Sequence, residues 1–530
     1  MKISLLQVNT VIGDLTGNAD RIVAGAYKAS RYRPDLVVTP ELSLTGCPPR
    51  DLLLQAGFIT RSLAVLDDLA ARLDGAPPVL VGFAEPKSGG TACSLFNAAA
   101  LLRDGVVERT FQKTRLSSSP LDEGRYFEPA AEDPEPFLVG KRTVGVSIGE
   151  EVLCGRPAPD VIVNLAASPF AAGRQHLRKE ALSRLARENR VAIVSANLVG
   201  GNDDLVFDGR SVAFSADGTL IARGMAFAED IVTVDLASPI PQAAASDDPA
   251  PEAEIWQALV LGTRDYVHKC GFTSVHLGLS GGIDSSLVTA IAARALGPEN
   301  VLGVLLPSPY TSAESVEDAQ KLAENLGIRT CCIPITPMME AFDGALAEVF
   351  AGFSRDVTEE NLQARIRAVI LMAISNKFGS MLLSTGNRSE IAVGYSTLYG
   401  DAAGGLAVIA DLPKGTVYRV VRWLNAKEHV IPGRVLEKSP SAELRPGQTD
   451  RETLPPYDLL DAILHRHIDC LESPDEIIAA GYPGEIVRRV VRMVGQAEFK
   501  RRQAPPGIRV TDRAFGTDWH MPIAAKPWWH

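Results

Sequence analysis

Up to about residue 236, short apolar runs alternate with stretches whose apolar positions recur every three or four residues. Ile3 to Val8, Leu36 to Thr39, Val79 to Phe83, Thr143 to Ile148, Val161 to Leu165 and Val191 to Ala196 have strand length and are rich in Val and Ile. The pattern predicts buried strands between amphipathic helices. Several of these runs end in Pro, Gly or Asn, where an α/β layer carries its functional loops. Residues 238–252, SPIPQAAASDDPAPE, have no periodicity and predict a linker. A second alternation follows. Trp256 to Cys270 predicts a helix, Ser274 to Leu279 a strand, Ser285 to Leu296 a helix and Val301 to Leu306 a strand. That order is a βαβ unit, with a right-handed crossover in a parallel sheet. From about Pro455 the pattern is mostly helical and ends in a tail with Pro and Trp. The expected division is 1–237, a linker at 238–252, and 253–530.

The length of 530 residues agrees with more than one core, at roughly 100 to 200 residues per domain. With 46% hydrophobic and 22% charged residues, the chain is too apolar to be disordered. Lys plus Arg number 53 against 64 Asp plus Glu, a net charge of −11 that argues against a nucleic-acid partner. The seven cysteines are sparse and odd in number, and no C-x-x-C pair suggests zinc or a redox site. The first residues lack an apolar run of signal-peptide length, and no stretch of membrane-spanning length follows. A reducing cytoplasm without a membrane partner is the expectation.

The strongest candidate chemistry lies between the strand and helix of the second alternation, at Leu277-Gly-Leu-Ser-Gly-Gly-Ile-Asp-Ser-Ser286. Gly281 and Gly282 allow the backbone to approach a ligand closely and to aim successive N–H groups at an anion. The helix that follows points its positive end at the same place. Ser280 and Ser285 add hydroxyl donors, and Asp284 can hold Mg²⁺ beside phosphates. The spacing is neither Gly-Lys-Ser/Thr nor G-x-G-x-x-G.

SGGIDSS resembles the pyrophosphate loop of the ATP pyrophosphatase family, whose members adenylate a carboxyl or carbonyl group. Further segments narrow the resemblance to NAD synthetases: Thr358 to Arg365, Leu371 to Gly379, Ser384-Thr-Gly-Asn-Arg-Ser-Glu390, Thr397 to Asp401, Ser441 to Pro446, Leu454 to Tyr457, Lys500 to Pro506 and Arg513 to Gly516. The resemblance implies that the nicotinate carboxylate of deamido-NAD attacks the α-phosphate of ATP. Pyrophosphate leaves, and ammonia then displaces AMP to give NAD. It also implies that Gly278, Leu279, Ser280, Gly281, Gly282, Ile283, Asp284, Ser285 and Thr385 contact ATP, and that Asn361, Glu390 and Lys500 contact deamido-NAD. Asp284 would be the catalytic carboxylate, and Asp284 and Glu390 the Mg²⁺ ligands. Asn361 also admits a plainer reading as a helix-terminus residue, and Lys500-Arg501-Arg502 as a solvated helical face.

Residues 1 to about 236 resemble the nitrilase-type glutaminase domain carried by longer NAD synthetases, through Pro40 to Gly46, Phe111-Gln-Lys113, Asp122 to Phe127, Asn164 to Phe170 and Val199 to Gly209. In that family a Glu is the base, a Lys stabilises the oxyanion and a Cys at a strand-to-helix elbow attacks the amide. Glu41 and Lys113 match the first two. Where the family reads Ile-Cys-Glu-Asp, this chain reads Ile148-Gly-Glu-Glu151, so Gly149 stands at the nucleophile's position. The segment from Gly149 to Ser168 is also shorter than the family pattern, which implies a truncated elbow helix. Ser119 replaces the tyrosine beside the glutamine, while Ser168 and Arg174 match glutamine-contacting positions and are read as remnants. Cys154 and Cys47 are the nearest substitutes, and each is read first as a small buried hydrophobe.

The expected class is therefore α/β. A nitrilase-like α/β sandwich without amidase activity precedes a doubly wound parallel-sheet domain of the ATP pyrophosphatase (adenine nucleotide α-hydrolase-like) type. Deamido-NAD, ATP, Mg²⁺ and free ammonia are the expected substrates and cofactor, with glutamine or an external ammonia source as alternatives, in a homo-oligomer. A paralogue that amidates another carboxylate also remains open.

Overall fold

A computed structural model describes residues 1–87, 94–150, 152, 158–237 and 250–526, and the chain divides into two compact units, Met1–Pro249 and Ala250–His530.

Two six-stranded sheets make up the first unit. In one, Lys2–Gln7, Leu36–Val38 and Val79–Pro86 run parallel, with Asp230–Asp235 antiparallel at one edge and the hairpin Leu95–Arg103/Val106–Gln112 at the other. In the other, Arg142–Ile148, Val161–Ala166 and Ala192–Asn197 run parallel between antiparallel Phe137–Val139 and Val212–Phe214. Successive side chains of a strand point to opposite faces. Ile3, Leu5, Val38 and Leu80 accordingly meet Val144, Val146, Val163 and Val194 between the sheets. Leu6, Val37, Val81 and Phe83 turn the other way, onto Ile22, Val65 and Leu69 of helices Leu15–Ser30 and Ala56–Arg72. On the outer face of the second sheet, Ile162 and Ile193 meet Leu182 and Ala186 of helix Arg174–Asn189. The result is a four-layer sandwich, and coverage on both faces is why these strands read as unbroken apolar runs.

All six strands expected from the pattern are present. The hairpin was not expected, because Leu95–Arg103 is an Ala-rich strand of low β-propensity whose burial, not its composition, holds it in the sheet. Most of the expected linker, residues 238–249, lies outside the described residues, and its last two positions are helical. Helix Pro251–Lys269 starts earlier than the apolar periodicity indicated, with Pro at the first position, where its missing N–H costs nothing.

In the second unit five parallel strands lie in the order Arg329–Cys332, Val301–Leu305, Val275–Gly278, Met381–Ser384, Leu406–Ala407. The chain starts at the centre, winds outward to one edge, then returns to build the other. Helix Ile283–Leu296 makes the first crossover and is buried almost all round, against helices Pro251–Lys269 and Lys414–Glu428. The mostly helical carboxy-terminal part packs Leu460, Ile463, Val487, Val490, Val494 and Trp519 into a cluster of its own. No helix among the described residues is long and apolar enough to cross a membrane.

Candidate active site

The reversal of winding places the carboxy-terminal ends of Val275–Gly278 and Met381–Ser384 side by side, where a doubly wound sheet opens a crevice. Gly278 to Gly282 leave the first strand and enter helix Ile283–Leu296 with Gly282 as its cap. Within this loop the Ser280 N–H donates to Ser285 Oγ (3.3 Å), the Gly282 N–H donates to Ser280 Oγ (3.2 Å), and the two hydroxyls are 3.0 Å apart. The hydroxyls expected to face a ligand thus also brace the loop. Gly281 has φ +76°, and a Cβ there would lie 2.2 Å from the Ser315 carbonyl oxygen, so no side chain fits.

The second strand leads through Thr385 and Asn387 into helix Arg388–Val393, which starts with a capping box between Asn387 and Glu390. Asn387 Nδ2 also donates to Asp284 Oδ1 at 3.1 Å, tying the two loops together. Lys414, at the start of helix Lys414–Glu428, sends its ammonium between them, in contact with Asp284 Oδ2 and 3.3 Å from Glu390 Oε1. Burial pushes the Glu390 carboxyl up to about 7; Lys414 opposes that shift, and Asp284 and Asp450 add to it. For Lys414, burial disfavours the charge, but Asp284 and Glu390 outweigh it and hold the ammonium well above its ordinary pKa.

A cavity of about 240 Å³ opens here, lined by Ser280 to Ser285, Thr385, Glu390, Lys414 and Lys500. A second, of about 260 Å³, shares Ser280 and Thr385 and has an apolar wall of Leu279, Val304, Leu306, Leu371 and Leu382, with Gly278 at its edge. Lys500 Nζ donates to the carbonyls of Gly394 and Ser396, each at 2.8 Å. The Arg501 side chain is buried against Glu498 while Arg502 is exposed, so Lys500-Arg501-Arg502 is only partly a solvated face. Asn361 lies inside helix Val357–Phe378, which Asp356 caps, and accepts from Thr397 Oγ1 at 2.8 Å. It is therefore no helix terminus, and it lines neither cavity.

The first unit holds a second charged cluster. Lys113 Nζ donates to Glu41 Oε1 (2.7 Å) and to both oxygens of Glu123 (2.9 and 2.7 Å), and Asn97 Nδ2 donates to the same two carboxylates. All three charged side chains are at most 3% exposed. Burial raises the Glu41 carboxyl, Lys113 opposes this and Glu123 adds to it. Gly149 follows strand Arg142–Ile148 with φ +101°, and a Cβ built on it would lie 2.4 Å from Lys113 Nζ. The ammonium occupies the space that a side chain at position 149 would enter.

Of the expected pocket remnants, Ser168 is buried beside this cluster's strand ends, Arg174 faces Glu150 at 3.8 Å, and Ser119 is exposed. Ser119 is thus not part of a closed pocket. Cys47 is buried, and burial, Glu41 and Glu123 all push its thiol well above the ordinary value, which keeps it protonated and a poor nucleophile. Cys154 lies outside the described residues, as do residues 151, 153 and 155–157 of the shortened segment.

The NAD synthase family pattern matches residues 255–504, and the carbon-nitrogen hydrolase pattern matches residues 2–244. A relative from Synechocystis, named glutamine-dependent NAD(+) synthetase, is 48% identical and aligns over 98% of each chain. The chain belongs to the two-domain NAD synthetase family. A Thermotoga maritima protein of the same name is 43% identical over 99% of each chain. The solved glutamine-dependent NAD⁺ synthetase from Acinetobacter baumannii, in complex with ADP, is 36% identical, covers 98% of each chain and has a TM-score of 0.79. A Cytophaga hutchinsonii synthetase structure, with a TM-score of 0.87 at 22% identity, matches in fold. As a family member, the chain is a ligase that forms a carbon–nitrogen bond.

Three residues of these two charged clusters escaped the sequence. Lys414 follows Pro413 at a helix start and belongs to no recognisable spacing. Glu123 lies in the Asp122-to-Phe127 segment, which carried the resemblance without a role for it. Asn97 is a lone amide in an apolar run, and that was the available signal.

Gly281→Ala should lower pyrophosphate release by about 100-fold through displacement of the loop, with little change in thermal stability elsewhere. Unchanged release in a stopped-time phosphate assay would show that the loop tolerates the shift. Lys113→Met leaves Glu41 and Glu123 buried without a counter-charge and should destabilise the first unit by about 3–5 kcal/mol at pH 8. The Glu41 carboxyl, already raised by burial, then binds its proton more tightly folded than unfolded, so the loss should shrink as pH falls to 5. Urea midpoints at the two pH values read this, and an equal loss at both would contradict it.

Proposed function

We propose that this chain amidates deamido-NAD to NAD with ATP and free ammonia, and that its carbon-nitrogen hydrolase half is a scaffold without amidase activity. The observation that carries the reading is Gly149. The position lacks a side chain to attack an amide, and the oxyanion-type lysine stands in the space where one would be.

In the synthetase half, the crevice at the reversal of winding supports the ligation chemistry. A nicotinate carboxylate oxygen attacks the α-phosphorus of ATP, and the bond to pyrophosphate breaks. Gly278 to Ser285, with the amino-terminal end of helix Ile283–Leu296, would receive the leaving pyrophosphate. The apolar wall behind Thr385 suits a nucleobase, while Lys500 and Glu390 border the side where deamido-NAD would lie. Ammonia then attacks the acyl carbon and AMP leaves.

Mg²⁺ suits the residues present. Asp284 and Glu390 are oxygen donors that already flank one cation, the Lys414 ammonium. Among the described residues, no group of three or more acidic, His or Cys side chains forms a closed metal cage. That agrees with an ion that takes its remaining ligands from phosphates and water. When bound, it would neutralise charge on the departing pyrophosphate.

The test compares nitrogen donors with purified protein, deamido-NAD and ATP. Ammonium should support NAD formation and glutamine should give only background; efficient use of glutamine would overturn the reading. Gly149→Cys should not gain glutamine use, because φ +101° and the 2.4 Å approach to Lys113 both oppose the new side chain.

A further inference from the structure

A thiol, an imidazole and a carboxylate meet on the surface of the synthetase half, away from the cavities. Helix Tyr457–Leu464 widens into a π-helical turn, His465–Asp469, closed by the Cys470 N–H on the His465 carbonyl at 3.1 Å. Residues five apart point about 140° away from each other on an α-helix. The wider turn brings them together, and single π-turns mark functional sites often. Cys470 Sγ lies 3.8 Å from His465 Nε2, and His465 Nδ1 lies 3.0 Å from Asp469 Oδ2. A carboxylate can only accept, so Nδ1 carries the hydrogen and Nε2 offers its lone pair to the thiol. Asp469 is itself fixed, because its other oxygen accepts from Arg388 Nη2 at 2.6 Å. Nucleophile, base and orienting group thus stand in the arrangement that activates a nucleophile.

We propose that Cys470 is a modification site, a base-assisted thiol that exchanges with low-molecular-weight disulfides. The thiol proton passes to His465 Nε2 and the Cys470 sulfur attacks one sulfur of the disulfide. The S–S bond breaks, and the departing small thiolate takes up the proton from His465. One thiol and one disulfide become one mixed disulfide and one small thiol, so no separate oxidant is needed. Cys470 and His465 are both exposed, which leaves room for the incoming disulfide. Cys270 and Cys332 are also exposed and serve as internal references.

The experiment incubates the full chain with oxidised glutathione at neutral pH and follows each cysteine by peptide mass spectrometry. Cys470 should form its mixed disulfide at least about tenfold faster than Cys270 and Cys332. His465→Gln, a change at an exposed position, should bring Cys470 to their rate. Equal rates for the three cysteines in the unaltered protein would overturn the proposal, as would a Cys470 rate that His465→Gln leaves unchanged.

Discussion

A buried charge needs a partner, and both halves of this chain answer that constraint with a lysine shared by two carboxylates. In the carbon-nitrogen hydrolase half, Lys113 lies between Glu41 and Glu123; in the synthetase half, Lys414 lies between Asp284 and Glu390. Their surroundings differ. The first group is sealed to within a few per cent of full burial, and the second borders a cavity of about 240 Å³. One cluster is closed on itself, whereas the other keeps its carboxylates and its cation beside a space large enough for substrate groups.

That difference accounts for the division of labour proposed for the two halves. An amidase centre needs its lysine to face an oxyanion and its glutamate to face a nucleophile. Here the lysine is turned wholly onto the carboxylates, and glycine at 149 leaves it the room to stay there. The cluster still joins the Glu41 loop, the Leu95–Arg103 strand through Asn97 and the loop that carries Glu123. Such a structural role for Glu41 and Lys113 fits the proposal that this half serves as a scaffold.

The six parallel-sheet strands and the βαβ unit were legible in the sequence because both faces of those strands are covered, which writes them as uninterrupted Val and Ile runs. The Leu95–Arg103 strand was hidden by its alanines, since its place depends on neighbours distant in sequence. The glycine loop was legible for a related reason: close backbone contact at Gly281 admits one residue type and leaves a mark in the chain. Lys414 left no such mark, because a lysine at a helix start is common and only the fold brings it between Asp284 and Glu390. The plainer reading of Asn361 failed on what local spacing cannot show, a cap supplied by Asp356, and that of Lys500 to Arg502 held only for Arg502 because Arg501 is buried.

The account stands most directly on the origin of the amide nitrogen. Purified protein would be given deamido-NAD, ATP, ¹⁵N-labelled ammonium and an excess of unlabelled glutamine, and the mass of the NAD carboxamide measured. Label in essentially all of the product is the predicted result. Unlabelled NAD formed at a comparable rate would mean that glutamine is being hydrolysed within the chain, which contradicts the assignment of Gly149 as the position of a lost nucleophile.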